Sequence, residues 1–404
     1  MERQKVLMAA SVASMIDQFN LPNIRLMQEL GYEVHVACNF IDGNTCDAGR
    51  IWKLQEMLRD LGVRMHQWDC PRSIRPFGKC LTAWRQLRSL TRRLQFAWIH
   101  CHSPIGGALA RLAVHAQGIP VIYTAHGFHF YKGAPLWNWL IYYPAEKLLA
   151  NWTDILVTVN REDYQLARGS LRAKRVAYIP GVGVDTGKFA AAVPGGCSCA
   201  DACAAVPKDA RGYFLKRFCL PHDARVLLSV GELNPGKNHR MAIAALAALP
   251  QKDVYYLICG QGELREELQA YADRLGVGER IRLPGFCGDM PWIYQYADIF
   301  VCTSVREGMP VALMEAMAAG LPCVVSDIRG SRELIGAAGG GRFAPDQPKQ
   351  LQKLLEILLE DMRKRKRCGQ YNQKKIQRYR VQEVNAQMRR IYKNLQEKEN
   401  DDFY

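Results

Sequence analysis

A regular alternation of short apolar runs with amphipathic stretches constrains the fold of this 404-residue chain more than any other feature. Amphipathic stretches such as "LPNIRLMQELG" and "LTAWRQLRSLTRRL" have helical spacing. Between them lie runs rich in β-branched and aromatic residues, namely "KVLMAASV", "YEVHVAC", "AWIHCH", "PVIYTAH", "DILVTVN" and "RVAYIP". Strands that alternate with helices predict an α/β fold, with a parallel sheet covered on both faces.

The alternation stops near Asp185 and then restarts. The intervening segment, "GVGVDTGKFAAAVPGGCSCADACAAVPKDA", is rich in Gly, Ala and Pro and has no clean period. Five more strand-like runs follow, "RVLLSVGEL", "DVYYLICGQG", "RIRLPGF", "DIFVCTS" and "PCVVSDI". We therefore predict two Rossmann-like domains, 1–184 and 185–375, and a helical segment 376–404 that packs back on the first domain. Ligands bind at the carboxyl ends of parallel strands, so we expect the site in a cleft between the domains.

The placement of the cysteines and the N-terminal sequence indicate the cellular compartment of the protein. Many of the 14 cysteines, such as Cys38, Cys101, Cys259, Cys302 and Cys323, lie inside apolar runs, which is typical of reduced, buried thiols. Cys197, Cys199 and Cys203 are either a metal site or a loop with free thiols, and no fourth ligand is obvious nearby. The N-terminal apolar run ends at Asp17, which favours a first core strand over a signal peptide. No uncharged run is typical of a membrane span, so we expect a cytoplasmic chain.

The formal net charge of +15 is unevenly distributed. No Asp or Glu occurs between Cys70 and Ala145. That stretch carries nine basic residues, Arg72, Arg75, Lys79, Arg85, Arg88, Arg92, Arg93, Arg111 and Lys132. Such a patch suits phosphates, anionic lipid or nucleic acid, and the alternative is a solvated helix face.

The segment "SVREGMPVALMEAMAAGLPCVVSDIRGSRELI" carries two carboxylates in apolar surroundings. Glu307 stands in the loop after a predicted strand, and Glu315 lies about two turns into the following helix. The first helical turn, roughly Met309 to Ala312, offers the unpaired backbone N–H groups of its non-proline residues to an anion. The predicted donor-binding residues here are Gly308, Met309, Pro310, Val311 and Ala312. This pattern fits a sugar nucleotide, with amides for the diphosphate and carboxylates for hydroxyls. The alternatives are an acid that stabilises the helix dipole for Glu307 and a surface acid for Glu315.

Two further strand ends carry polar candidates. In "SVGELNPGKNH" a strand ends at Gly231, and Lys237 stands near the start of the next helix, where it can pair with a diphosphate. In "YTAHGFHFYKG", His126 follows a strand of the first domain, although a lone histidine is often structural. His102 in "IHCHSPIGG" is a parallel case one strand earlier.

Taken together, these residues resemble the retaining glycosyltransferases of family four, which have the GT-B fold. Glu307 and Glu315, with seven residues between them, resemble the family's E-x7-E signature, and "VGELNPGKNH" resembles its donor-diphosphate loop. "HSPIGGALARL" and "YTAHGFHFYKGAP" resemble the bacterial capsular and exopolysaccharide branch. The likeness covers nearly the whole chain outside the irregular segment.

The resemblance implies a role for each matching residue. Glu307 would hold hydroxyls of the transferred sugar, and Glu315 would bind the ribose. Lys237 would neutralise the leaving diphosphate, and His126 would contact the donor sugar. The loop from Pro284 to Phe286 would lie near the base.

Two departures from the family pattern stand out. Glu232 occupies a position where many members have an arginine, so one positive charge beside the diphosphate is missing. The glycine pair common in the first loop is replaced by "VASMIDQFN". Because that loop helps to shape the acceptor site, the identity of the acceptor transfers less directly than the donor.

We therefore expect an enzyme that moves a sugar from a nucleotide diphosphate to an acceptor hydroxyl with retention, without metal or cofactor. By the resemblance, a UDP-sugar is favoured over a GDP-sugar, and the acceptor is a lipid-linked glycan of capsule or exopolysaccharide synthesis. A sugar-nucleotide epimerase and a phosphorylase are the enzymatic alternatives. A nucleic-acid-binding protein is the third, but Glu307 and Glu315 would repel that partner, so we predict no nucleic acid.

The acid-free stretch also predicts a peripheral position on the inner face of the plasma membrane. It contains "GAPLWNWLIYYPA", in which Trp137 and Trp139 suit the headgroup region of a bilayer. Arg88, Arg92 and Arg93 would supply attraction to anionic lipid on the acceptor side. The alternative is that both tryptophans belong to the core of the first domain.

Overall fold

The computed structural model describes residues 3–190 and 209–396. The chain divides into two compact units. Unit 1 comprises Met1–Val182 and Gln382–Tyr404, and unit 2 comprises Gly183–Val381. Cys197, Cys199 and Cys203 lie outside the described residues, so the choice between metal site and loop stays open.

Unit 1 contains a parallel sheet of seven strands in the order β3-β2-β1-β4-β5-β6-β7. Its five central strands are nearly all buried, as expected for a sheet covered on both faces, whereas the edge strands β3 and β7 are partly exposed. They are β1 Lys5–Val12, β2 Glu33–Asn39, β3 Arg64–Gln67, β4 Trp98–His102, β5 Val121–Ala125, β6 Ile155–Thr158 and β7 Arg175–Tyr178.

The helices of unit 1 include one from the far end of the chain. They are α1 Ala13–Phe19, α2 Leu21–Glu29, α3 Ala48–Asp60, α4 Phe77–Leu94, α5 Pro104–Val114, α6 Leu136–Ala150, α7 Arg161–Ser170 and α17 Val381–Gln396. In α17 the buried Tyr392 ring stacks on Trp98, with 5.2 Å between ring centroids, and its hydroxyl lies 2.9 Å from His100 Nδ1. These contacts join α17 to the sheet of unit 1.

Unit 2 repeats the plan with six parallel strands in the order β10-β9-β8-β11-β12-β13. The strands are β8 Arg225–Val230, β9 Val254–Cys259, β10 Ile281–Gly285, β11 Ile299–Cys302, β12 Cys323–Ser326 and β13 Gly340–Phe343. The helices are α8 Thr186–Ala190, α9 Ala210–Arg217, α10 His239–Ala248, α11 Arg265–Arg274, α12 Met290–Tyr296, α13 Val311–Ala318, α14 Arg329–Leu334, α15 Pro348–Glu360 and α16 Met362–Ile376. The prediction of two Rossmann-like parallel sheets is confirmed.

Two strands, β3 and β13, were not predicted from the sequence, and both lie at a sheet edge. The β3 strand "RMHQ" is largely polar, and the β13 strand "GGRF" begins with two glycines. Each pairs on one side only, with β2 and β12 respectively. The polar residues of β3 are tolerated because an edge strand is exposed on one side. The glycines of β13 reflect close packing, because a Cβ on Gly340 would lie 2.1 Å from the Cys323 carbonyl oxygen.

Each sheet has one topological switch point, at which the strand order changes direction. In unit 1 the order reverses direction between β1 and β4, and in unit 2 between β8 and β11. At such a point the loops after the two strands leave toward opposite faces, which opens a crevice where α/β proteins bind ligands. The loops after β8 and β11 carry Lys237 and Glu307.

Candidate active site

The loop after β8 fixes the position of Lys237. Gly231 adopts a φ of +155°, and a Cβ there would lie 3.0 Å from Lys237 Cε, so the lysine side chain passes directly over this glycine. A short 3₁₀ turn, Pro235–Lys237, follows, and the Asn234 side chain accepts a hydrogen bond of 3.1 Å from the Lys237 backbone N–H. The loop is therefore held by its own residues before any ligand binds.

Two more glycines, in "GQGE", pack against the same loop. A Cβ on Gly260 would lie 1.8 Å from the Gly231 carbonyl oxygen, and one on Gly262 would lie 2.4 Å from the Leu233 carbonyl oxygen. The Leu233 N–H donates to the Gln261 carbonyl at 2.8 Å. Sequence analysis did not assign this motif to the site, and the paired glycines at a strand end were the available signal.

The loop after β11 brings Glu307 to Lys237. The Lys237 Nζ lies 2.6 Å from Glu307 Oε1, and the Ser304 hydroxyl donates to the same oxygen at 2.8 Å. The two loops are joined by two further hydrogen bonds, from the Thr303 hydroxyl to the Lys237 carbonyl at 2.8 Å and from the Val305 N–H to the Gly236 carbonyl at 2.9 Å. Ser304 and Thr303 were missed from the sequence, where single hydroxyl residues carry no distinctive signal.

The ion pair is partly shielded from solvent. The Lys237 side chain is 28% exposed and that of Glu307 is 17% exposed. Burial lowers the pKa of Lys237, but the Glu307 carboxylate outweighs burial, and the net pKa is raised above its ordinary value. Glu232 adds a smaller contribution of the same sign. Lys237 is therefore a persistent cation, and an incoming phosphate would compete with Glu307 for it.

The start of α13 faces the same region of unit 2. Pro310 is the N-cap residue with extended backbone angles, and the helix runs from Val311. Behind the loop, a Cβ on Gly330 would lie 2.4 Å from the Gly308 carbonyl oxygen, so α14 packs closely on it. The buried Arg329 donates from Nε to the Glu307 carbonyl at 3.1 Å. Met309 is buried beside this loop, while Val311 and Ala312 are partly exposed at the helix start, where N–H groups lack helical acceptors.

Glu315 lies in a different environment from Glu307. Tyr294, fully buried in α12, donates its hydroxyl to Glu315 Oε2 at 3.0 Å. Burial raises the pKa of Glu315 to about 7, although the Tyr294 hydrogen bond and the charge of Lys188 both lower it. Glu315 therefore changes its charge near neutral pH. Tyr294 is a further functional candidate that sequence analysis did not identify.

The predicted base loop follows β10 at the same carboxyl edge. Pro284 is exposed, Gly285 has a φ of +85°, and the Phe286 ring is 55% exposed. An exposed aromatic ring after a strand end can stack on a planar ligand. The role of Pro284 and Phe286 in base binding stays a prediction.

In unit 1, His126 stands directly after β5 and is half-buried. Its Nε2 lies 3.0 Å from Nδ1 of His102, the last residue of β4. The Phe19 ring packs on His126, with 5.6 Å between ring centroids. The structure thus joins two histidines that the sequence separates by 24 positions.

The acid-free stretch is not uniformly exposed. Arg111 is fully buried, forms a bidentate ion pair with Glu146 at 2.6 and 3.2 Å, and lies over the Tyr123 ring. Its charge is neutralised inside unit 1, so Arg111 does not contribute to a surface patch as the sequence suggested. The exposed basic residues of this stretch are Lys79, Arg85, Arg92 and Arg93 on α4 and Arg72, Arg75 and Lys132 outside it.

The two tryptophans of α6 have different surroundings. Trp137 is 72% exposed. Trp139 packs on Phe130 and donates from its indole N–H to the Tyr131 carbonyl at 3.2 Å. The core interpretation therefore fits Trp139, whereas Trp137 shares an exposed apolar face with Leu136, Leu140 and Ile141.

Neither a metal cluster nor a bilayer-spanning helix occurs in the described parts of the chain. Within 3–190 and 209–396, His, Cys, Asp and Glu side chains do not come together in groups of three or more that could bind a metal ion. Over the same residues, every helix is too short or too polar to cross a bilayer.

Two family descriptions match the two units. Residues 21–181 match the Glycosyl transferase 4-like domain, and residues 215–375 match Glycosyl transferases group 1. Among solved structures, Anabaena HepE in complex with UDP and glucose aligns over 97% of this chain and 100% of its own, with a TM-score of 0.77 and 18% identity. The fold is that of the GT-B glycosyltransferases, as predicted.

Similarity in sequence extends over most of the chain. The putative glycosyltransferase EpsD of Bacillus subtilis is 35% identical over 338 residues, which are 82% of this chain and 81% of EpsD. The Escherichia coli UDP-Gal:alpha-D-GlcNAc-diphosphoundecaprenol alpha-1,3-galactosyltransferase is 32% identical over 62% of each chain. The protein belongs to glycosyltransferase family four, in the branch that contains EpsD, and the predicted resemblance is confirmed.

Proposed function

We propose that this glycosyltransferase moves a sugar from a UDP-sugar to a hydroxyl of a lipid-linked glycan, with retention of configuration. The observation that carries the proposal is the contact between Lys237 and Glu307 at the point of unit 2 where the strand order reverses. One loop contributes a cation and the other contributes a carboxylate and a helix start. This set suits a diphosphate joined to a polyhydroxylated sugar.

In the proposed mechanism, the bond between the anomeric carbon and the diphosphate breaks through an oxocarbenium-like transition state, and the acceptor oxygen bonds to the same face of that carbon. The acceptor hydroxyl proton passes to the leaving diphosphate. Negative charge grows on the leaving diphosphate, and Lys237 with the N–H groups at the start of α13 stabilises it. These groups are preorganised by the Asn234 and Ser304 hydrogen bonds. The positive charge comes from the protein itself, so the mechanism requires no metal.

Glu307 and Glu315 bind hydroxyls in this proposal. When a phosphate of the donor displaces Glu307 from Lys237, the Glu307 carboxylate becomes available to accept hydrogen bonds from hydroxyls of the transferred sugar. Glu315, held by Tyr294, accepts from the ribose. His126 of unit 1 contacts a hydroxyl of the substrate.

The comparisons support the choice of substrates. HepE has been solved with UDP and glucose and with UDP-glucose, and the E. coli relative is named for a UDP-sugar donor and a diphosphoundecaprenol acceptor. We extend these chemistries to the present chain as a UDP-sugar donor and a lipid-linked acceptor for cell-surface polysaccharide synthesis. A GDP-sugar is the second choice of donor.

A panel of nucleotide sugars tests the donor. UDP-glucose, UDP-galactose, UDP-N-acetylglucosamine and GDP-mannose are each added while thermal unfolding is monitored. A ligand at 100 times its dissociation constant adds about 2.7 kcal/mol to the free energy of unfolding. Stabilisation by a UDP-sugar supports the proposal. Conversion of the donor without any acceptor would instead indicate an epimerase, and dependence on inorganic phosphate would indicate a phosphorylase.

Lys237→Ala tests the mechanism. We expect turnover to fall by roughly 10²–10³-fold, which is the usual effect of removing one leaving-group stabiliser. The measurement is release of UDP from the selected donor in the presence of acceptor. Lys252→Ala removes an exposed lysine of the same unit and is the matched control. Wild-type turnover in Lys237→Ala would exclude the lysine from the reaction.

A further inference from the structure

The histidine pair at the carboxyl edge of unit 1 has a defined geometry. His102 is only 1% exposed, and its Nδ1 lies 3.0 Å from His126 Nε2. The other ring nitrogen of His102, Nε2, is buried and has no hydrogen-bond partner. The neighbouring His100 cannot satisfy it, because its two ring nitrogens bind Tyr392 and Thr124 at 2.9 and 2.8 Å.

Both histidines are neutral at physiological pH. Burial lowers the pKa of His126 to about 4, and it lowers the pKa of His102 well below its ordinary value. A neutral imidazole has one N–H and one lone pair, so only two arrangements satisfy the contact between the rings. Either His102 donates from Nδ1 to His126 Nε2, or His126 donates from Nε2 to His102 Nδ1.

The two arrangements differ in what they leave inside the protein. If His126 were the donor, the proton of His102 would sit on Nε2, as a buried N–H without an acceptor. Orphaned buried N–H groups are rare in folded proteins because they lose their hydration without replacement. If His102 is the donor, Nε2 carries only a lone pair. The geometry therefore favours a proton on Nδ1 of His102.

We propose that His102 is a positioning residue that sets the tautomer of His126, so that His126 presents Nδ1–H as a donor to a hydroxyl oxygen of the substrate. The inference rests on the proposed function, in which His126 contacts substrate. Packing of Phe19 on the His126 ring limits its rotation and keeps the donor in one direction. The reverse tautomer would present a lone pair and would select a different hydroxyl orientation.

Nuclear magnetic resonance of protein with ¹⁵N-labelled histidine reads the tautomer directly. Two-bond ¹H–¹⁵N correlations distinguish a protonated Nδ1 from a protonated Nε2, and His126→Gln and His102→Gln spectra assign the two rings. We expect Nδ1–H on both rings of the wild type near pH 7.5. A proton on Nε2 of His126 would overturn the proposal without the use of any destabilised variant.

Activity assays of His102 variants test the functional consequence. Turnover is measured with the UDP-sugar that gives the largest thermal shift. His102→Leu removes the donor, and we expect turnover to fall about tenfold, the effect of losing one hydrogen bond. His102→Asn retains an N–H donor near the position of Nδ1, so we expect it to stay within about threefold of wild type. Equal turnover of wild type and His102→Leu, or equal losses in both variants, would refute the positioning role.

Two controls separate this inference from the proposed function. UDP affinity should be unchanged in both His102 variants, because the groups proposed to bind UDP lie in unit 2. His222→Leu removes an exposed histidine and should leave turnover unchanged. If no UDP-sugar stabilised the protein or were turned over, the proposed function would fail, yet the spectra would still report the tautomer.

Discussion

Glu307 and Glu315 have the same side chain, but the two carboxyl groups have different hydrogen-bond partners and different surroundings. Glu307 accepts hydrogen bonds from the cationic Lys237 and from Ser304. Glu315 is half-buried beside an uncharged phenol, and burial of its carboxyl group raises its pKa to about 7. The charge of Glu315 therefore depends on pH in the physiological range.

This difference predicts pH-dependent nucleotide binding. Only ionised Glu315 can accept hydrogen bonds from two ribose hydroxyls, and its ionised fraction rises from about one tenth at pH 6 to about nine tenths at pH 8. We expect affinity for UDP-glucose, measured by calorimetry, to increase by up to about ninefold over that interval. UDP-glucose is used because the phosphates of this diphosphate diester do not titrate between pH 6 and pH 8.

Glu315→Gln is the control for this prediction. Its affinity should be lower than that of the wild type at pH 8 and nearly independent of pH. The same raised pKa implies that ionisation of Glu315 opposes folding, so wild-type stability relative to Glu315→Gln should decline as pH rises from about 4.5 to about 7. A wild-type affinity that is flat between pH 6 and pH 8 would contradict the assignment of Glu315 to the nucleotide.

At the scale of elements, the site depends on how closely two strand-end loops approach each other. Gly260 follows β9, and its Cα lies against the backbone of Gly231, which follows β8. The Gly231 N–H also donates to the Cys259 carbonyl at 3.0 Å, and the Gly260 N–H donates to the Gly285 carbonyl at 2.8 Å. The ends of three neighbouring strands are therefore joined by backbone hydrogen bonds, and the contact at Gly260 leaves no room for a side chain.

Gly260→Ala should separate these loops. The new Cβ would lie 1.8 Å from the Gly231 carbonyl, so the backbone must move. We expect a loss of about 2 kcal/mol or more in the free energy of unfolding, measured in urea, together with weaker UDP binding. Gly288→Ala is the matched control, since a Cβ there meets nothing within 4 Å. Equal stability of the two variants would show that the loops can adjust.

At the scale of the whole molecule, the net charge of +15 suggests a negatively charged partner. In unit 1, α4 packs on α5 and α5 packs on α6. The first of these helices exposes Arg92 and Arg93, with Arg88 over the Trp84 ring at 5.0 Å, and the last exposes an apolar face around Trp137. We propose that these helices contact an anionic membrane, where a lipid-linked acceptor has its reacting end.

Co-sedimentation with liposomes tests membrane contact. We expect binding to phosphatidylglycerol vesicles that falls with salt, and little binding to neutral phosphatidylcholine vesicles. Each basic residue near the surface contributes about 1 kcal/mol, so changing Arg88, Arg92 and Arg93 together to Ser should weaken partitioning about 100-fold. Changing Trp137, Leu140 and Ile141 together to Ser should weaken it as well.

The matched control removes the same charge elsewhere. Arg363, Lys366 and Arg367 are exposed on α16 of unit 2, and their joint change to Ser should leave partitioning nearly unchanged. If both basic triples weakened binding equally, attraction would reflect net charge alone. Equal partitioning of the wild type to neutral and anionic vesicles would contradict the proposed surface.

Periodicity in the chain was enough to predict two parallel sheets. Central strands buried on both faces need continuous apolar runs, and crossover helices need amphipathic spacing, so both signals are local and can be read directly. Lys237, Glu307 and Glu315 could be named as candidates for the same reason, since each stands at a fixed offset from a strand. The strands β3 and β13 gave no such signal, because β3 is polar and partly exposed and β13 begins with two glycines that pack closely against their neighbours.

Contacts between distant segments depended on folding. Lys237 and Glu307 lie 2.6 Å apart because β8 and β11 are neighbours in the sheet although they are not consecutive strands along the chain. The donation from Tyr294 to Glu315, the contact of His102 with His126 and the burial of Arg111 against Glu146 have the same origin. Strand order and helix packing are set by the free energy of the whole chain, so residue spacing alone does not reveal which side chains meet.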